Sequence, residues 1–534
     1  MPRKTWAPGK RLTSKKTWAI LGSISMLLST FPLSISNAQS ESMARRISAL
    51  IATDAYHHAN WGIIVADQNT GESLYEFNAD KLFAPASTTK LFTTAAALDA
   101  LGPDFKFTTP LYRTGEISKE GKLHGDLVLK ASGDPNLSGR IDSQGHLAYT
   151  NEDHIYADFG GNAVLTDTDP LSGIDDLAKL VAASGTNQVR DVLIDDRLFD
   201  HEAGSGSGPT LLTPIVVNDN LIDLTVKPRE KAGYPATVAI RPQTEYAQFD
   251  IEVETVDRQG GTEVAVEQVA PRRYTVRGRI AAGRKPLVKI AVVDDPAEFA
   301  RTLLIERLRA HGVVVKRSPF SPMDKESLPA PSEYSKLTVV AQHISPPFSE
   351  AIKVILKVSH NLGASLLPLI VASQKGERTI EEGLGIEGDF LRRVGVESES
   401  ISFGGGAGGT RADFVTPRSV AELLLGMSKR PVFQVYHDSL PILGVDGTLS
   451  EAVDEASPVR GSVYAKTGTL VAWNAMDHSL IVTSKTLAGY MTAASGRKLV
   501  VAIYLNNQMV KSIDDVDSQG RVIGRLCELI YESL

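Results

Sequence analysis

Ser87 and Lys90 stand three residues apart in APASTTKLFTTAAALDALG, at the head of a segment with helical periodicity, so their side chains share one face. A serine hydroxyl becomes a nucleophile when a base takes its proton. A lysine serves as that base once burial or a neighbouring cation lowers its pKa. Phe83, Ala84, Leu91 and Phe92 supply apolar surroundings for such a shift. Taken alone, the spacing fits a helix-capping serine and a solvated lysine equally well. Ser359 and Asn361, in KVSHNLGAS, lie two apart and cannot share a face of a regular helix. At a helix break both can point into one cleft. There the serine would relay a proton to a leaving group, and the asparagine would hold a substrate amide or the lysine. Lys466, Thr467 and Gly468, in YAKTGTLVAWNAM, end a predicted strand. A lysine and a hydroxyl there would bind a terminal carboxylate, and Gly468 would let a substrate backbone approach closely. The backbone N–H of Thr469 would face a carbonyl oxygen.

Three kinds of element must deliver these groups: a helix start, a helix break and a strand. The pattern along the chain supplies them. Ile63–Val65 and Leu74–Phe77 read as strands of a hairpin turning at Asn69–Gly71, and the helix that follows carries Leu91, Phe92, Ala95, Ala96 and Leu98 and closes at Gly102 and Pro103. From there to Pro346 short alternating segments separated by Gly, Pro and Asp dominate, with helices expected at GIDDLAKLVAASG and PAEFARTLLIERLRAHG. HEAGSGSG (201–208) reads as a flexible loop by composition, and PFSPMDKESLPAPSEYSK reads as a linker. Long helical patterns return after Pro346, followed by three strands and a last helix near Val516–Leu534. The economical division is a first part of one α/β domain at 39–105, an inserted β-rich region at 106–344 that comprises two nested domains, and the second part of the α/β domain at 345–534.

The chain has 534 residues, too many for one ordinary core. Its net charge of −7 gives no reason to expect nucleic acid, and its single cysteine, Cys527, excludes an intramolecular disulfide. Residues 1–38 begin with a basic stretch free of acids, continue with an apolar run broken by Gly22 and Pro32, and end at the small residues Ser36–Ala38. That order is a secretory signal peptide rather than a membrane span. His57 and His58 read as a surface pair, and no spacing suggests a zinc site; neither metal nor cofactor is expected.

STTK, SHN and KTG together, in that order, resemble the active-site set of the penicillin-binding proteins and serine β-lactamases. The long segment between Lys90 and Ser359 makes the chain most similar to the class C low-molecular-mass penicillin-binding proteins, peptidase family S13. LVLKASGDPNLS, VLIDDRLFD, VVNDNLIDLTVKP and SLPILGVDGTLS resemble that family's segments outside the three motifs. The resemblance implies an α/β transpeptidase-like domain, an antiparallel sheet flanked by helices, with inserted β-rich domains. It implies a serine D-Ala-D-Ala carboxypeptidase and DD-endopeptidase acting on peptidoglycan stem peptides and cross-linked muropeptides in the periplasm, with β-lactam antibiotics as covalent inhibitors and at most a loose membrane association. Ser87, Lys90, Ser359 and Asn361 would be catalytic, and Lys466, Thr467, Gly468 and Thr469 would bind substrate. The rival readings are a non-catalytic peptidoglycan-binding scaffold and a β-lactamase or esterase of the same fold. Four departures from the family pattern stand out, the first being that AWNAMDHSLIVTSKTLAGY, after the third motif, is longer than the family's short hairpin. His360 fills the variable position of the second motif, Ser365 stands where many relatives have glutamate, and a glycine-rich stretch, Gly404–Gly409, replaces an Asp-Gly-Ser-Gly pattern.

Overall fold

The computed structural model describes residues 33–160 and 162–534, with side chains from residue 41 onward. Most of the expected signal peptide therefore lies outside the described residues. Among those described, no helix is long and apolar enough to cross a membrane. Helix α1 (Leu33–Ile51) buries Met43, Ile47 and Ile51, one stripe at four-residue spacing. Strands β1 (Asn60–Asp67) and β2 (Ser73–Phe77) form the hairpin, whose turn is fixed by Asp67 Oδ1 accepting from the N–H groups of Asn69 and Thr70. Helix α2 (Thr89–Leu101) ends at Gly102, whose φ of +81° suits glycine.

The chain then leaves through β3 (Thr108–Arg113), β4 (Leu127–Lys130), helix α3 (Ser172–Ala183) and β5 (Val192–Asp195). Strands β6 (Leu221–Lys227), β7 (Thr237–Arg241), β8 (Gln248–Val256), β9 (Glu263–Ala270), β10 (Arg273–Ala281) and β11 (Leu287–Val292) follow, then helix α4 (Pro296–Ala310) and strand β12 (Thr338–Ile344). These strands make a four-stranded sheet in the order β12-β3-β4-β5, a three-stranded sheet β7-β6-β11 and a further sheet built on β8, β10 and β9. The outgoing and returning strands are neighbours: Ile344 of β12 pairs with Thr108 of β3. One apolar cluster, with α3 and α4 packed into it, joins most of this segment. The stretch expected to be a linker belongs to that cluster. Met323 and Tyr334 are buried in it, and the Tyr334 hydroxyl donates to Asp195 Oδ2. Its Pro- and Ser-rich composition hides two anchors.

After β12 come helices α5 (Phe348–Lys357), α6 (Asn361–Ser373), α7 (Ile380–Val394) and α8 (Pro417–Met427), strands β13 (Val463–Asn474), β14 (Ser479–Thr492), β15 (Lys498–Asn506) and β16 (Gln508–Val510), and helix α9 (Ile513–Ser533). The last strands pair with the first in the order β2-β1-β15-β14-β13, all antiparallel, with β16 on β14. Residues alternate between the faces of this sheet. Ile64, Val500, Ala502 and Tyr504 pack on α2 and α5–α8. Ile63, Val65, Val501 and Ile503 pack on α1 and α9, where Cys527 is also buried. The architecture is thus the expected α/β class, an antiparallel sheet with helices on both faces.

Candidate active site

Ser87 does not lie in the regular helix that the sequence suggests. It sits on a 3₁₀ turn, Ala86–Thr88, just ahead of α2. Ala86 takes a φ of +48°, a strained value for a residue with a side chain. The sheet holds this elbow from below. Asn506 Oδ1 accepts from the Ala84 N–H at 2.7 Å, Ser484 Oγ donates to the Ala84 carbonyl at 2.7 Å, and Thr486 Oγ1 donates to the Pro85 carbonyl at 3.3 Å. Gly468 of β13 lies against the same elbow: a Cβ there would fall 2.4 Å from Thr486 Oγ1 and 2.9 Å from the Ala86 Cβ. Close approach of the elbow, rather than of substrate alone, requires glycine at this position.

Lys90, one turn on, is 0% exposed. Its Nζ contacts Ser87 Oγ at 2.8 Å, Asn361 Oδ1 at 2.7 Å and the Ala407 carbonyl at 3.0 Å. Burial, reinforced by the nearby Lys466 charge and opposed by Asp413, pushes Lys90 well below the ordinary lysine range. The two carbonyl oxygens can only accept, so a neutral amine spends both hydrogens on them. Its lone pair is then left facing the Ser87 hydroxyl, which is the arrangement a general base needs.

Asn361 reaches Lys90 because the helix pattern breaks just before it. Ser359 has a φ of +60° between α5 and α6, and His360 is the N-cap of α6. Ser359 thereby lines the cleft while Asn361 reaches beneath it to Lys90. The orientation of the Asn361 amide is set on its other side, where Nδ2 donates to Ser207 Oγ at 2.9 Å. Tyr156 Oη donates to the Ser359 carbonyl at 2.7 Å. Ser359, Ser87, Tyr156, Thr467 and Thr469 line one cleft of about 530 Å³.

Lys466, Thr467 and Gly468 lie within the long strand β13 rather than at a strand end. Lys466 is fully buried, donates to the Thr467 carbonyl at 2.8 Å, and is lowered by burial to about 7. Thr467 Oγ1 is 2.6 Å from Thr448 Oγ1 at the cleft mouth. The strand pairs with β14 through Thr469 and Lys485, and the edge that carries Gly468 and Thr469 faces the cleft.

Sequence reasoning missed several contributors. The stretch 201–208 reads as flexible, yet Ser207 is buried on Asn361, and a Cβ at Gly206 would fall 2.4 Å from the Asn361 amide nitrogen. Its glycines permit close packing instead of motion. The glycine-rich stretch 404–409 supplies the Ala407 carbonyl to Lys90 and the Gly406 carbonyl to Thr93 Oγ1 at 3.1 Å. Asp413 ties its ends by accepting from the N–H groups of Gly404 and Thr410 at 2.8 and 2.7 Å. Gly408 has a φ of +89°, and a Cβ there would fall 1.8 Å from the Ala86 carbonyl oxygen. Gly408→Ala is therefore expected to destabilise the chain by about 3 kcal/mol, from backbone strain plus overpacking. It should also slow acylation by moving the elbow. Thermal melting and the rate of penicillin labelling check this, and a variant unchanged in both would show that the loop yields freely.

Comparison with known proteins gives four findings. The model of the D-Ala-D-Ala carboxypeptidase 3 (S13) family matches residues 43–524. A D-alanyl-D-alanine carboxypeptidase of Actinomadura sp. (strain R39) is 28% identical over 500 residues, covering 89% of this chain and 85% of the relative. The D-alanyl-D-alanine carboxypeptidase DacB of Haemophilus influenzae is 27% identical over 509 residues, covering 94% and 96%. The crystal structure of penicillin binding protein 4 (dacB) from Haemophilus influenzae superposes with a TM-score of 0.66 at 22% identity, over 90% of this chain and 98% of that one.

Proposed function

The chain belongs to the D-Ala-D-Ala carboxypeptidase 3 (S13) family, and from that premise we propose how its cleft releases a terminal D-alanine and which residues carry the reaction. Ser87 Oγ attacks the carbonyl carbon of the penultimate D-alanine while the Lys90 lone pair takes the hydroxyl proton. The N–H groups of Ser87 and Thr469 receive the developing oxyanion, a term of several kcal/mol in enzymes of this kind. Ser359 relays that proton from Lys90 to the leaving nitrogen, and the C–N bond breaks to leave an ester on Ser87 and a neutral lysine. Asn361 holds Lys90 and the substrate amide. Thr467 and Lys466 take the carboxylate of the leaving residue, with Gly468 keeping the strand close to the elbow. Water, activated by the same lysine, hydrolyses the ester.

The observation that carries this reading is the triple contact of Lys90 Nζ with Ser87, Asn361 and Ala407. A scaffold that only bound peptidoglycan would have no use for a buried lysine so lowered in pKa. The glycine-rich departure supplies one of the three contacts. Where the leaving group is the D-centred end of a cross-link with a free carboxylate, the same steps constitute DD-endopeptidase action on cross-linked muropeptides. A strained β-lactam amide would acylate Ser87 in place of the peptide. The basic-then-apolar order of residues 1–38 supports export, and a wall-peptide substrate supports action in the periplasm.

Digestion of purified muropeptides followed by mass analysis tests the reading. Pentapeptide monomers are expected to lose one alanine, and cross-linked dimers to separate into monomers. Unaltered monomers and dimers would refute it.

A further inference from the structure

Three side chains of the inserted segment grip the turn that carries Ser359 and Asn361. Tyr156 binds the Ser359 carbonyl, Ser207 binds the Asn361 amide, and Asp219 Oδ1 lies 3.1 Å from His360 Nε2. The last contact is the least expected, because His360 occupies the variable position of its motif. His360 Nδ1 accepts the Gly363 N–H at 2.9 Å and so caps α6. A ring nitrogen that accepts carries no proton, so the neutral imidazole keeps its hydrogen on Nε2, which lies 3.1 Å from Asp219 Oδ1 in an electrostatic contact without hydrogen-bond alignment. Asp219 turns Oδ1 to this contact. Its Oδ2 already takes Arg140 Nε at 3.0 Å, Arg140 Nη2 at 2.7 Å and His154 Nε2 at 2.8 Å. Asp223, which meets His154 Nδ1 at 2.7 Å, and Asp153, which meets Arg140, complete the buried cluster.

The backbone is also bent to this end. Asn218, Asp219 and Asn220 have φ values of 48°, 53° and 54°, three successive left-handed residues with side chains. Asn218 Nδ2 donates to the Leu221 carbonyl and Asn220 Oδ1 accepts from the Val217 N–H, which fixes the turn. Strain of this kind persists where surrounding structure over-determines it, commonly beside functional groups. A serine or asparagine would cap α6 without any partner behind it. Asp219 is already satisfied by Arg140 and His154 without His360.

We infer that Asp219 is a positioning residue which, through His360, fixes the start of α6 so that Asn361 presents its oxygen to Lys90. The inserted segment thereby completes the catalytic centre in addition to whatever it binds. This rests on the proposed function, since it assumes that Lys90 is the base. The test is a double-mutant cycle on release of alanine from a D-Ala-D-Ala peptide by the full chain. His360→Asn keeps a capping oxygen and loses the contact with Asp219. It is expected to lower kcat about tenfold, with KM and the melting temperature little changed. Asp219→Asn is expected to lower kcat similarly and to add no further loss in the His360→Asn background, as holds for residues acting through one another. Losses that multiply, or a His360→Asn variant with wild-type kcat, overturn the inference. If Asp219→Asn fails to fold, the kcat of His360→Asn alone decides. A wild-type chain without turnover would instead remove the functional reading, so the two failures are distinguishable.

Discussion

Ser87→Ala is expected to lose both turnover and penicillin labelling while keeping its fold. The hydroxyl is the only atom removed, and it makes one polar contact, with Lys90 Nζ at 2.8 Å. Losing such a bond costs about 1 kcal/mol, too little to unfold the domain. The elbow itself is held by Asn506, Ser484 and Thr486 through backbone groups that the substitution leaves in place. The other hydroxyl on that turn, Thr88 Oγ1, is buried and engaged with the Pro85 carbonyl and Tyr504 Oη, so it does not replace Ser87 in the chemistry. Cleavage should fall on the order of 10⁶-fold, the scale seen when the nucleophile of an acyl-transfer site is deleted. Intact-mass measurement after incubation with benzylpenicillin gives the check: one adduct on the wild type and none on Ser87→Ala. A persistent adduct on the variant would place the nucleophile elsewhere.

Lys90→Met should be nearly as damaging to catalysis but has a distinct signature in pH. The methionine fills most of the buried volume and cannot accept a proton, so acylation is expected to fall on the order of 10³-fold. In the wild type the acylation rate should rise with pH through an acid limb well below the lysine range, because burial and Lys466 favour the neutral amine. That limb should vanish in Lys90→Met. Stability follows the same protons. The unfolded chain binds a proton at Lys90 up to about pH 10.4, while the folded chain releases it at a lower pH. Wherever the unfolded state holds more protons, stability increases with pH. The wild type should therefore gain on Lys90→Met as pH rises through that window, by up to about 1.4 kcal/mol per pH unit. Below the folded pKa and above pH 10.4 the difference should be flat. Chemical denaturation of both proteins at several pH values, beside penicillin acylation rates, measures both effects. A wild-type acylation rate in the variant would remove lysine as the base.

The sequence made the proposed catalytic groups visible where their spacing is local. Ser87 and Lys90 are one helical turn apart, and their elbow is short enough that the turn preceding α2 leaves them on one side. The sheet was legible too, because β13, β14 and β15 alternate or run apolar in recognisable blocks. What composition concealed was the choice of partner. Glycines in 201–208 signal a pliable loop to any reading based on entropy, whereas here they let Ser207 and Gly206 close on Asn361. The Gly404–Gly409 stretch reads as a deviation because its working atoms are backbone carbonyls, which no side-chain pattern records. His360 and Asp219 are far apart in the chain, and neither type nor spacing announces that they meet. A left-handed Ser359 is likewise a property of the junction between α5 and α6, not of serine.

The pairing of β1 with β15 joins Asn60 to Asn506, strands near opposite ends of the polypeptide. Synthesis proceeds from the first residue, so a nascent chain carries Ser87 and Lys90 long before Asn361, Lys466 and the inner strand of its own sheet exist. Closing so long a loop costs entropy, although the cost grows only with the logarithm of its length. The contact of β3 with β12 gathers the intervening segment at its base and shortens the effective distance beforehand. Half-made or truncated molecules accordingly hold the proposed nucleophile without a complete cleft, which closes only when β13, β14 and β15 arrive.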